Sequence, residues 1–168
     1  LRKDFHDIDR VQDGRISIRE VKKVFEKHGF SMANGRYDPV FHSVDKKGDR
    51  LIYYRELISI LRTPLSDVRL NLMTNVYRDM DMGGNNQVPL ATLSLQYQPQ
   101  NHPLVQNATY GKEEMRNVYF TKLIQSVQFR KQAPYVTLDS FVDFFSDLSS
   151  AIQDDSEFEE VFTSLWCK

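Results

Sequence analysis

The sequence lacks most of what covalent cross-links, membrane spans and electrostatic nucleic-acid binding require. Its single cysteine, Cys167, excludes an internal disulfide and a multi-cysteine metal site. No run approaches the roughly 18 consecutive apolar residues of a membrane-spanning helix. The sequence also has no marked excess of positive or negative charge, since it contains 22 Lys and Arg and 23 Asp and Glu. This balance argues against a nucleic-acid binder that works by bulk electrostatics. The remaining composition, 40% apolar and 27% charged, is ordinary for a globular protein.

Residue patterns for catalysis are lacking as well. The histidines His6, His28, His42 and His102 have no second ligand at metal spacing and no nucleophile motif beside them. They are therefore predicted to lie at the surface or at its boundary. A thiol one residue from the end, at Cys167, is a poor catalytic nucleophile. The sequence predicts a protein that is not an enzyme.

The start of the chain gives two further expectations. It begins at Leu1, without Met, and the polar stretch that follows matches no secretory signal peptide. We interpret the chain as a piece of something longer, with a first helix that begins upstream of Leu1. A free thiol fits a reducing compartment but does not prove one.

What the sequence does have is an internal repeat with a period of 36 residues. Residues 9–20 carry Asp at positions 1 and 5, Gly at 6, Ile at 8 and Glu at 12, which is most of an EF-hand calcium loop. Further copies begin at Asp45 and Asp81, and a faint fourth copy is one residue longer than usual. We call these segments loop 1 (9–20), loop 2 (45–56), loop 3 (81–92) and loop 4 (128–140).

Apolar residues flank the loops with helical spacing. After position 12 they recur at offsets one, four and five, which is one face of a helix: Val21, Val24 and Phe25; Leu57, Ile60 and Leu61; Leu93 and Tyr97; Phe141, Phe144 and Phe145. An ordinary helical bundle explains these stripes but not the recurring Gly, aliphatic and Glu positions. The sequence therefore predicts an all-α fold of four EF-hand helix–loop–helix units in two paired lobes.

The aliphatic residues at position 8 predict how the loops pair. They are expected to form short two-stranded β pairings, loop 1 with loop 2 and loop 3 with loop 4: Ile16, Ile52, Val88 and Val136. Pro64 is expected to end one helix and Ser66 or Asp67 to cap the next. The predicted organisation is lobe 1 with hands 1 and 2 (1–62), a hinge (63–66), and lobe 2 with degenerate hands 3 and 4 and a C-terminal helix (67–168).

Loop 1 is the one candidate calcium site. Calcium takes six to eight oxygen ligands, and Asp9, Asp13 and Glu20 supply carboxylates, with Ser17 at the water-mediated position. Position 3 is Val11, which has no side-chain oxygen, and three arginines cancel the three acids of the loop. Two interpretations stay open. One is a site with a dissociation constant of about 10⁻⁴ M or weaker. The other, which we favour, is an ion-free loop whose aspartates accept hydrogen bonds from loop amides.

Loop 2 is predicted not to bind calcium at cellular concentrations. It keeps Asp45, Asp49 and Glu56, but Lys47 stands at position 3 and Arg50 at the turn position where Gly is usual. Its three acids face four bases. Our hypothesis is that Lys47 or Arg50 places its cationic group near Asp45 and Asp49 and so replaces the ion by a salt bridge.

Loops 3 and 4 depart further from the calcium-binding pattern. Loop 3 ends in Thr92, so it lacks the bidentate carboxylate of position 12. Loop 4 has Arg130 and Lys131 where acids would stand. Neither loop is predicted to bind calcium.

The chain resembles the calcyphosin family over essentially its whole length. The resemblance rests on the paired hands and on four segments: Leu61-Arg62-Thr63-Pro64-Leu65-Ser66, His102-Pro103-Leu104-Val105, Phe141-Val142-Asp143-Phe144-Phe145-Ser146, and Ser150-Ala151-Ile152 to Thr163-Ser164-Leu165-Trp166. It implies a cytosolic calcium-binding protein of two compact lobes, in a family partly associated with ciliated tissue. It also implies ligand roles for Asp9, Asp13, Arg15 (by its carbonyl), Ser17 and Glu20, and for Asp45, Asp49 and Glu56.

Two functions are therefore expected. In the first, the chain is a largely calcium-independent protein-interaction or structural module, in a cytoskeletal or ciliary assembly. In the second, a weak calcium site in the first hand opens a lobe and exposes an apolar groove for a partner helix. Met73, Met80 and Met82 are candidates for lining such a groove or, alternatively, the core. The expected partner is a protein and not a nucleic acid, and the expected location is the cytoplasm, with the cilium or axoneme implied by the resemblance.

Overall fold

The structure, a computed structural model, describes residues 1–31, 35, 38–125 and 134–166. The chain divides into two compact units, 1–62 and 63–168. Three residues named above, Arg130, Lys131 and Cys167, lie outside the described residues, so the predictions about them stay predictions. No helix in the described part of the chain combines the length and the apolar character that crossing a membrane requires.

The first unit consists of short helices that surround one two-stranded pairing. Its elements are α1 (Arg2–Ile8), β1 (Arg15–Ser17), α2 (Ile18–Lys27), α3 (Asp38–Val44), β2 (Leu51–Tyr53) and α4 (Tyr54–Leu61). The apolar stripe of α2 faces inward, because Val21, Val24 and Phe25 are all buried. They pack in one cluster with Phe5 of α1 and Phe41 of α3.

The second unit is larger and carries an extra layer of helices. Its elements are α5 (Asp67–Met80), β3 (Val88–Pro89), α6 (Leu90–Gln96), a 3₁₀ turn (Pro99–Asn101), α7 (Pro103–Gln106), α8 (Lys112–Arg116) running into a π-helical turn (Asn117–Thr121), β4 (Tyr135–Val136), α9 (Leu138–Ala151) and α10 (Asp155–Trp166). Ser66 caps α5, since its hydroxyl accepts a hydrogen bond from the Arg69 amide at 3.3 Å. The expected cap at Ser66 is therefore confirmed.

The predicted strand pairings are confirmed. β1 and β2 are antiparallel with Ile16 opposite Ile52, and β3 and β4 are antiparallel with Val88 opposite Val136. All four side chains are at most 2% exposed. Tyr77 reinforces the second pairing, because its hydroxyl donates a hydrogen bond to the Val136 carbonyl at 2.8 Å. Burial raises the pKa of Tyr77 to about 12, so the phenol keeps the proton that it donates.

Helix α10 forms part of the core of the second unit. One face of it is fully buried, and four side chains from that face join the apolar cluster: Phe158, Phe162, Leu165 and Trp166. The Phe162 and Phe145 rings lie 5.1 Å apart in an edge-to-face arrangement, and Trp166 lies 5.3 Å from both Tyr97 and Phe141. The groove between the helices of this unit is therefore filled by the chain's own helix.

Two expectations about burial were wrong. Ile60 and Leu61, placed on the inner face of α4 by their spacing, are 53% and 48% exposed, whereas Tyr54 and Ile58 are buried. Helix α4 ends at Leu61, so its last turn extends past the cluster that its first turn enters. His102 was expected at the surface or at its boundary but is only 2% exposed. Its Nδ1 accepts a hydrogen bond from the Leu104 amide at the start of α7, which anchors the ring inside.

The chain is thus mostly helical with two small antiparallel sheets, and it is consistent with an all-α EF-hand fold. Three loops, residues 9–20, 45–56 and 81–92, each connect a helix to a short strand and a following helix. The fourth unit stays a prediction, because residues 126–133 lie outside the described part of the chain.

Candidate functional site

Loops 1, 2 and 3 share one hydrogen-bonded turn. The carboxylate at position 1 accepts a hydrogen bond from the amide at position 6: Asp9 Oδ2 from Gly14 at 2.8 Å, Asp45 Oδ2 from Arg50 at 3.0 Å, and Asp81 Oδ2 from Asn86 at 2.8 Å. The side-chain oxygen at position 5 accepts from the amide at position 7: Asp13 from Arg15 at 2.9 Å, Asp49 from Leu51 at 3.0 Å, and Asn85 from Gln87 at 3.1 Å. Side chains therefore satisfy the turn amides, as the ion-free interpretation expects.

The second oxygen of each position-1 carboxylate has a different environment. Oδ1 of Asp9, of Asp45 and of Asp81 is buried and has no hydrogen-bond partner among the described residues. Leaving a carboxylate oxygen buried without a donor is costly. Asp9 is the most informative of the three, because the whole residue is only 4% exposed. In each of these three loops, Oδ1 of the position-1 aspartate is therefore available to a cation, even though other ligand positions of the loop lack a suitable oxygen.

Two positions of each loop have left-handed backbone. At position 4, φ is 58° at Gln12, 66° at Gly48 and 60° at Gly84. Position 6 has φ of 80° at Gly14 but 61° at Arg50 and 59° at Asn86. Asn tolerates this conformation, whereas Arg is strained in it by the contact of its Cβ with the backbone. Loop 2 keeps the turn despite an unsuitable residue.

Replacing Arg50 by Gly is expected to stabilise the first unit by about 0.5–1 kcal/mol, because relief of left-handed strain exceeds the added flexibility of the unfolded chain. Thermal unfolding without calcium measures the change. Arg50→Ala is the matched control, since it removes the same charge but keeps Cβ. An equal gain from Arg50→Ala would attribute the effect to charge and contradict the backbone explanation.

Glu20, the bidentate ligand expected at position 12 of loop 1, caps α2 instead. Its Oε2 accepts hydrogen bonds from the amide and the hydroxyl of Ser17, at 2.9 and 2.7 Å. The Ser17 hydroxyl in turn accepts from the Glu20 amide at 3.3 Å, which completes a capping box. The hydrogen bonds from Ser17 lower the pKa of Glu20, so the carboxylate is held as an anion facing the helix start.

Position 12 of the next two loops offers a cation no better ligand. Glu56 of loop 2 pairs with Lys46 at 3.5 Å, with both side chains largely exposed. Thr92 of loop 3 has no carboxylate. In all three described loops, therefore, the position that contributes two ligand atoms in a calcium-binding EF-hand is engaged elsewhere or lacks the carboxylate.

The position-5 carboxylates of loops 1 and 2 face one guanidinium. Arg15 Nη2 lies 2.9 Å from Asp13 Oδ2, and Arg15 Nη1 lies 3.9 Å from Asp49 Oδ2. The cation paired with Asp49 thus belongs to loop 1, whereas the predicted replacing cation was one of loop 2, Lys47 or Arg50. Sequence reasoning counted the charge of Arg15 against the loop acids and gave its carbonyl a ligand role, but it missed the contact of its side chain with loop 2.

Loops 3 and 4 are also joined by a polar side chain that sequence reasoning missed. Asn86 Oδ1 accepts a hydrogen bond from the Leu138 amide at 2.8 Å, which connects position 6 of loop 3 to the first turn of α9. The amide at a helix start has no partner within the helix, so an oxygen placed there stabilises it. The signal in the sequence was Asn at a position that usually carries Gly.

The donor set of loop 1 fits calcium only in part. Asp9 Oδ1 is available, but Asp13 and Glu20 have internal partners, and Val11 is 82% exposed without an oxygen to offer. Within the described residues, no three His, Cys, Asp or Glu side chains are grouped so that they could hold a metal ion. A cation would first have to release Glu20 from Ser17 and compete with Arg15.

The methionines do not line an open groove in the second unit. Met73 and Met80 belong to its buried cluster, at 0% and 5% exposure. Met82 in loop 3 is 93% exposed. The core interpretation therefore holds for the two methionines of α5.

Comparison with known proteins gives a similarity over nearly the whole chain. No family model matches the chain. Crustacean calcium-binding protein 23 from Faxonius limosus is 23% identical over 162 residues, which is 96% of this chain and 79% of that protein. A solved redox protein from Chlamydomonas reinhardtii is 15% identical with a TM-score of 0.30. The match covers 96% of this chain but only 51% of the other, so this chain spans about half of it, and the likeness carries no argument.

The similarity to the crustacean protein agrees with the geometry of the loops but does not distinguish the calcyphosins from other EF-hand families. Over nearly all of its length, the chain is similar to a protein named for calcium binding, and its fold is consistent with an all-α EF-hand protein.

Proposed function

We propose that this is a calcyphosin-like EF-hand protein with four degenerate hands, which acts as a largely calcium-independent protein-interaction or structural module. It is not an enzyme, it works in the cytoplasm, and its partner is a protein of a cytoskeletal or ciliary assembly. The observation that carries the proposal is the state of position 12. Glu20 caps α2 through Ser17, Glu56 pairs with Lys46, and Thr92 has no carboxylate.

Internal contacts replace what an ion would supply. In a calcium-binding hand, the cation neutralises the loop carboxylates and draws the two halves of the loop together. Here amides bind the aspartates, Ile16–Ile52 and Val88–Val136 join the loops in pairs, and Asn86 links loop 3 to α9. A scaffold held in this way keeps its shape at any calcium concentration.

Exposed apolar side chains support the interaction role. Ile60 and Leu61 at the end of α4 are about half exposed, and Leu95 on α6 is 77% exposed. In the second unit, α10 already fills the core that a partner helix would enter. A partner is therefore expected to bind outer surfaces and not a groove opened by calcium.

The alternative is a calcium sensor with one weak site in the first hand. The observation in its favour is Asp9 Oδ1, which is buried and unpartnered among the described residues. Asp13, the Arg15 carbonyl, Ser17 through water and Glu20 would complete the ligand set, and the ion would supply the charge neutralisation that draws them together. Release of Glu20 from the capping box would then be the event that alters α2.

Calorimetric titration of calcium separates the two functions. We expect no binding in the sensor range, with a dissociation constant no tighter than about 10⁻⁴ M. Glu20→Gln is the control, because Gln also completes a capping box but cannot act as a bidentate carboxylate ligand. Wild-type binding at about 10⁻⁵ M or tighter that Glu20→Gln abolishes would contradict the scaffold function and support the sensor.

A further inference from the structure

The side chain of Arg15 lies between the two loops of the first unit. It belongs to β1 and is paired with Tyr53 of β2, and its guanidinium carbon lies 5.9 Å from the centre of the Tyr53 ring. Its Nε donates a hydrogen bond to Asp13 Oδ2 at 3.0 Å, and its Nη1 lies 3.9 Å from Asp49 Oδ2. The pairing of β1 with β2 fixes the position of Arg15. From there its guanidinium contacts the position-5 carboxylates of both loops, Asp13 and Asp49.

Both oxygens of Asp13 accept hydrogen bonds from Arg15. Oδ1 accepts the Arg15 amide at 2.9 Å, and Oδ2 accepts from Nε while lying 2.9 Å from Nη2. These hydrogen bonds lower the pKa of Asp13, and the same contact raises the pKa of Arg15. Both groups are therefore charged at neutral pH, and a divalent cation at loop 1 would meet a carboxylate whose charge is already neutralised.

Asp9 gives an independent sign that loop 1 retains a place for a cation. It is 4% exposed, its Oδ2 holds the Gly14 amide, and its Oδ1 has no partner among the described residues. Loop 1 thus combines a buried, unpartnered carboxylate oxygen with a second carboxylate that a guanidinium occupies.

We infer that Arg15 is the resident cation of the first loop pair and that it competes with divalent cations for the carboxylates of loop 1. The inference rests on the proposed function, because it explains how these loops are held without a metal ion. It also assigns the lost calcium affinity to a specific side chain, beyond the missing oxygen at Val11. Loop 1 becomes a better divalent-cation site when the guanidinium is removed.

The size of the effect follows from exposure. The side chains of Arg15, Asp13 and Asp49 are 30%, 36% and 39% exposed, so solvent screens the pairs considerably. Two screened contacts at less than 4 Å justify a change in calcium affinity of about tenfold, and not the much larger change that a dry site would give.

The test uses a background in which calcium binding is strong enough to measure. Val11→Asp restores an oxygen at position 3, and Val11 is 82% exposed, so the substitution takes nothing from the core. Calcium is titrated calorimetrically into Val11→Asp alone and combined with Arg15→Gln or with Arg19→Gln. Arg19 is the matched control, because it is an exposed arginine of the same loop whose removal changes the net charge equally.

We expect Val11→Asp/Arg15→Gln to bind calcium about tenfold more tightly than Val11→Asp/Arg19→Gln. Equal affinities, within twofold, or no binding by either double variant would overturn the role of Arg15. If Arg15→Gln unfolds the unit, as circular dichroism would reveal, Val11→Asp/Arg15→Lys takes its place. Its control is then Val11→Asp/Arg19→Lys, which keeps the charge in the same way. Lys lacks the fork, so the affinity of Val11→Asp/Arg15→Lys should lie above that of this control, and an affinity at or below it would overturn the inference.

Failure of this inference is distinguishable from failure of the proposed function. The proposed function is decided by the wild-type chain and Glu20→Gln, whereas the role of Arg15 is decided by the ratio between two double variants. Tight calcium binding by the wild-type chain would contradict the scaffold function. The ratio of the calcium affinities of the two double variants would still decide the role of Arg15.

Discussion

Replacing Phe162 by Ala is expected to lower the free energy of unfolding of the second unit by about 4 kcal/mol, the usual range for a phenylalanine truncated in a core. Phe162 is fully buried on α10. Its ring stacks on Phe158 at 5.5 Å and meets the edges of Phe145 at 5.1 Å and Phe141 at 6.1 Å. Removing it leaves a cavity that no single neighbour can close.

The measurement is urea unfolding followed by the fluorescence of Trp166, the only tryptophan, which lies on the same helix in the same core. Glu160→Ala is the control, because Glu160 is exposed on α10 and its loss should cost less than about 0.5 kcal/mol. A change of less than 1 kcal/mol for Phe162→Ala would mean that α10 is not part of the core.

The Phe162 variant also bears on function. If α10 fills the space that a partner helix would need, loosening it should expose apolar surface and increase the binding of a hydrophobic dye. That increase should be absent in the Glu160 variant and independent of calcium. A dye signal that appeared only with calcium would favour a sensor that opens.

The strand pairings could be predicted because a short pattern determines them. Position 8 of each loop is aliphatic, and alternate residues of a strand point to opposite faces, so only one register buries Ile16, Ile52, Val88 and Val136. The inner face of α2 and the closing helix followed from spacing for the same reason. In each case the buried residues stand at fixed offsets along one element, so spacing alone identifies them.

Burial at element ends could not be predicted. The spacing of Ile60 and Leu61 is that of an inner face, but a face is buried only as far as its neighbours extend, and α4 ends there. The predicted exposure of His102 was wrong for a different reason. Its burial depends on the Leu104 amide at the start of α7 and on Tyr119, whose ring lies 5.8 Å away. The residue pattern around His102 predicts neither contact.

The candidate site likewise has features that could be predicted from the sequence and features that could not. Counting ligand types predicted that Val11, Lys47 and Thr92 weaken the loops as calcium sites, because that needs only residue chemistry and position. The count could not predict that Arg15 reaches Asp49, because that contact depends on the register of β1 against β2. Side chains that connect one loop to another, such as Asn86, were missed for the same reason.

Arg69 on α5 is a buried polar hub that the sequence did not reveal. The residue is 6% exposed, yet its guanidinium donates hydrogen bonds to the carbonyls of Ser149, Ile152 and Gln153, at 2.7, 2.8 and 3.1 Å. These carbonyls lie at and just after the end of α9, where helical amides run out, and the Ser149 carbonyl also accepts a hydrogen bond from a backbone donor, the Ile152 amide at 3.3 Å. Arg69 Nε also donates to Asp155 Oδ1 at 2.5 Å, at the start of α10. One side chain thus joins three helices.

Arg69→Met is expected to lower the free energy of unfolding of the second unit by about 3 kcal/mol. Met retains an apolar stem against Phe158, whose ring centre lies 4.9 Å from the guanidinium carbon, but it removes the guanidinium donors of the Ser149, Ile152 and Gln153 carbonyls. The effect should exceed that of Asp155→Asn, because the Asp155 side chain is 46% exposed and water can replace its partner.

Two variants separate the hub from a general effect of charge, again by urea unfolding with Trp166 fluorescence. Arg78→Met removes an exposed arginine from the same helix and should change stability by less than about 0.5 kcal/mol. Arg69→Lys should recover only part of the loss, because one ammonium cannot reproduce the planar fork that reaches carbonyls and carboxylate together. Full recovery by Lys would mean that charge alone matters there. Equal losses for Arg69→Met and Arg78→Met would mean that the carbonyls at the end of α9 find water without help, and the link between α5, α9 and α10 would then rest on their apolar faces.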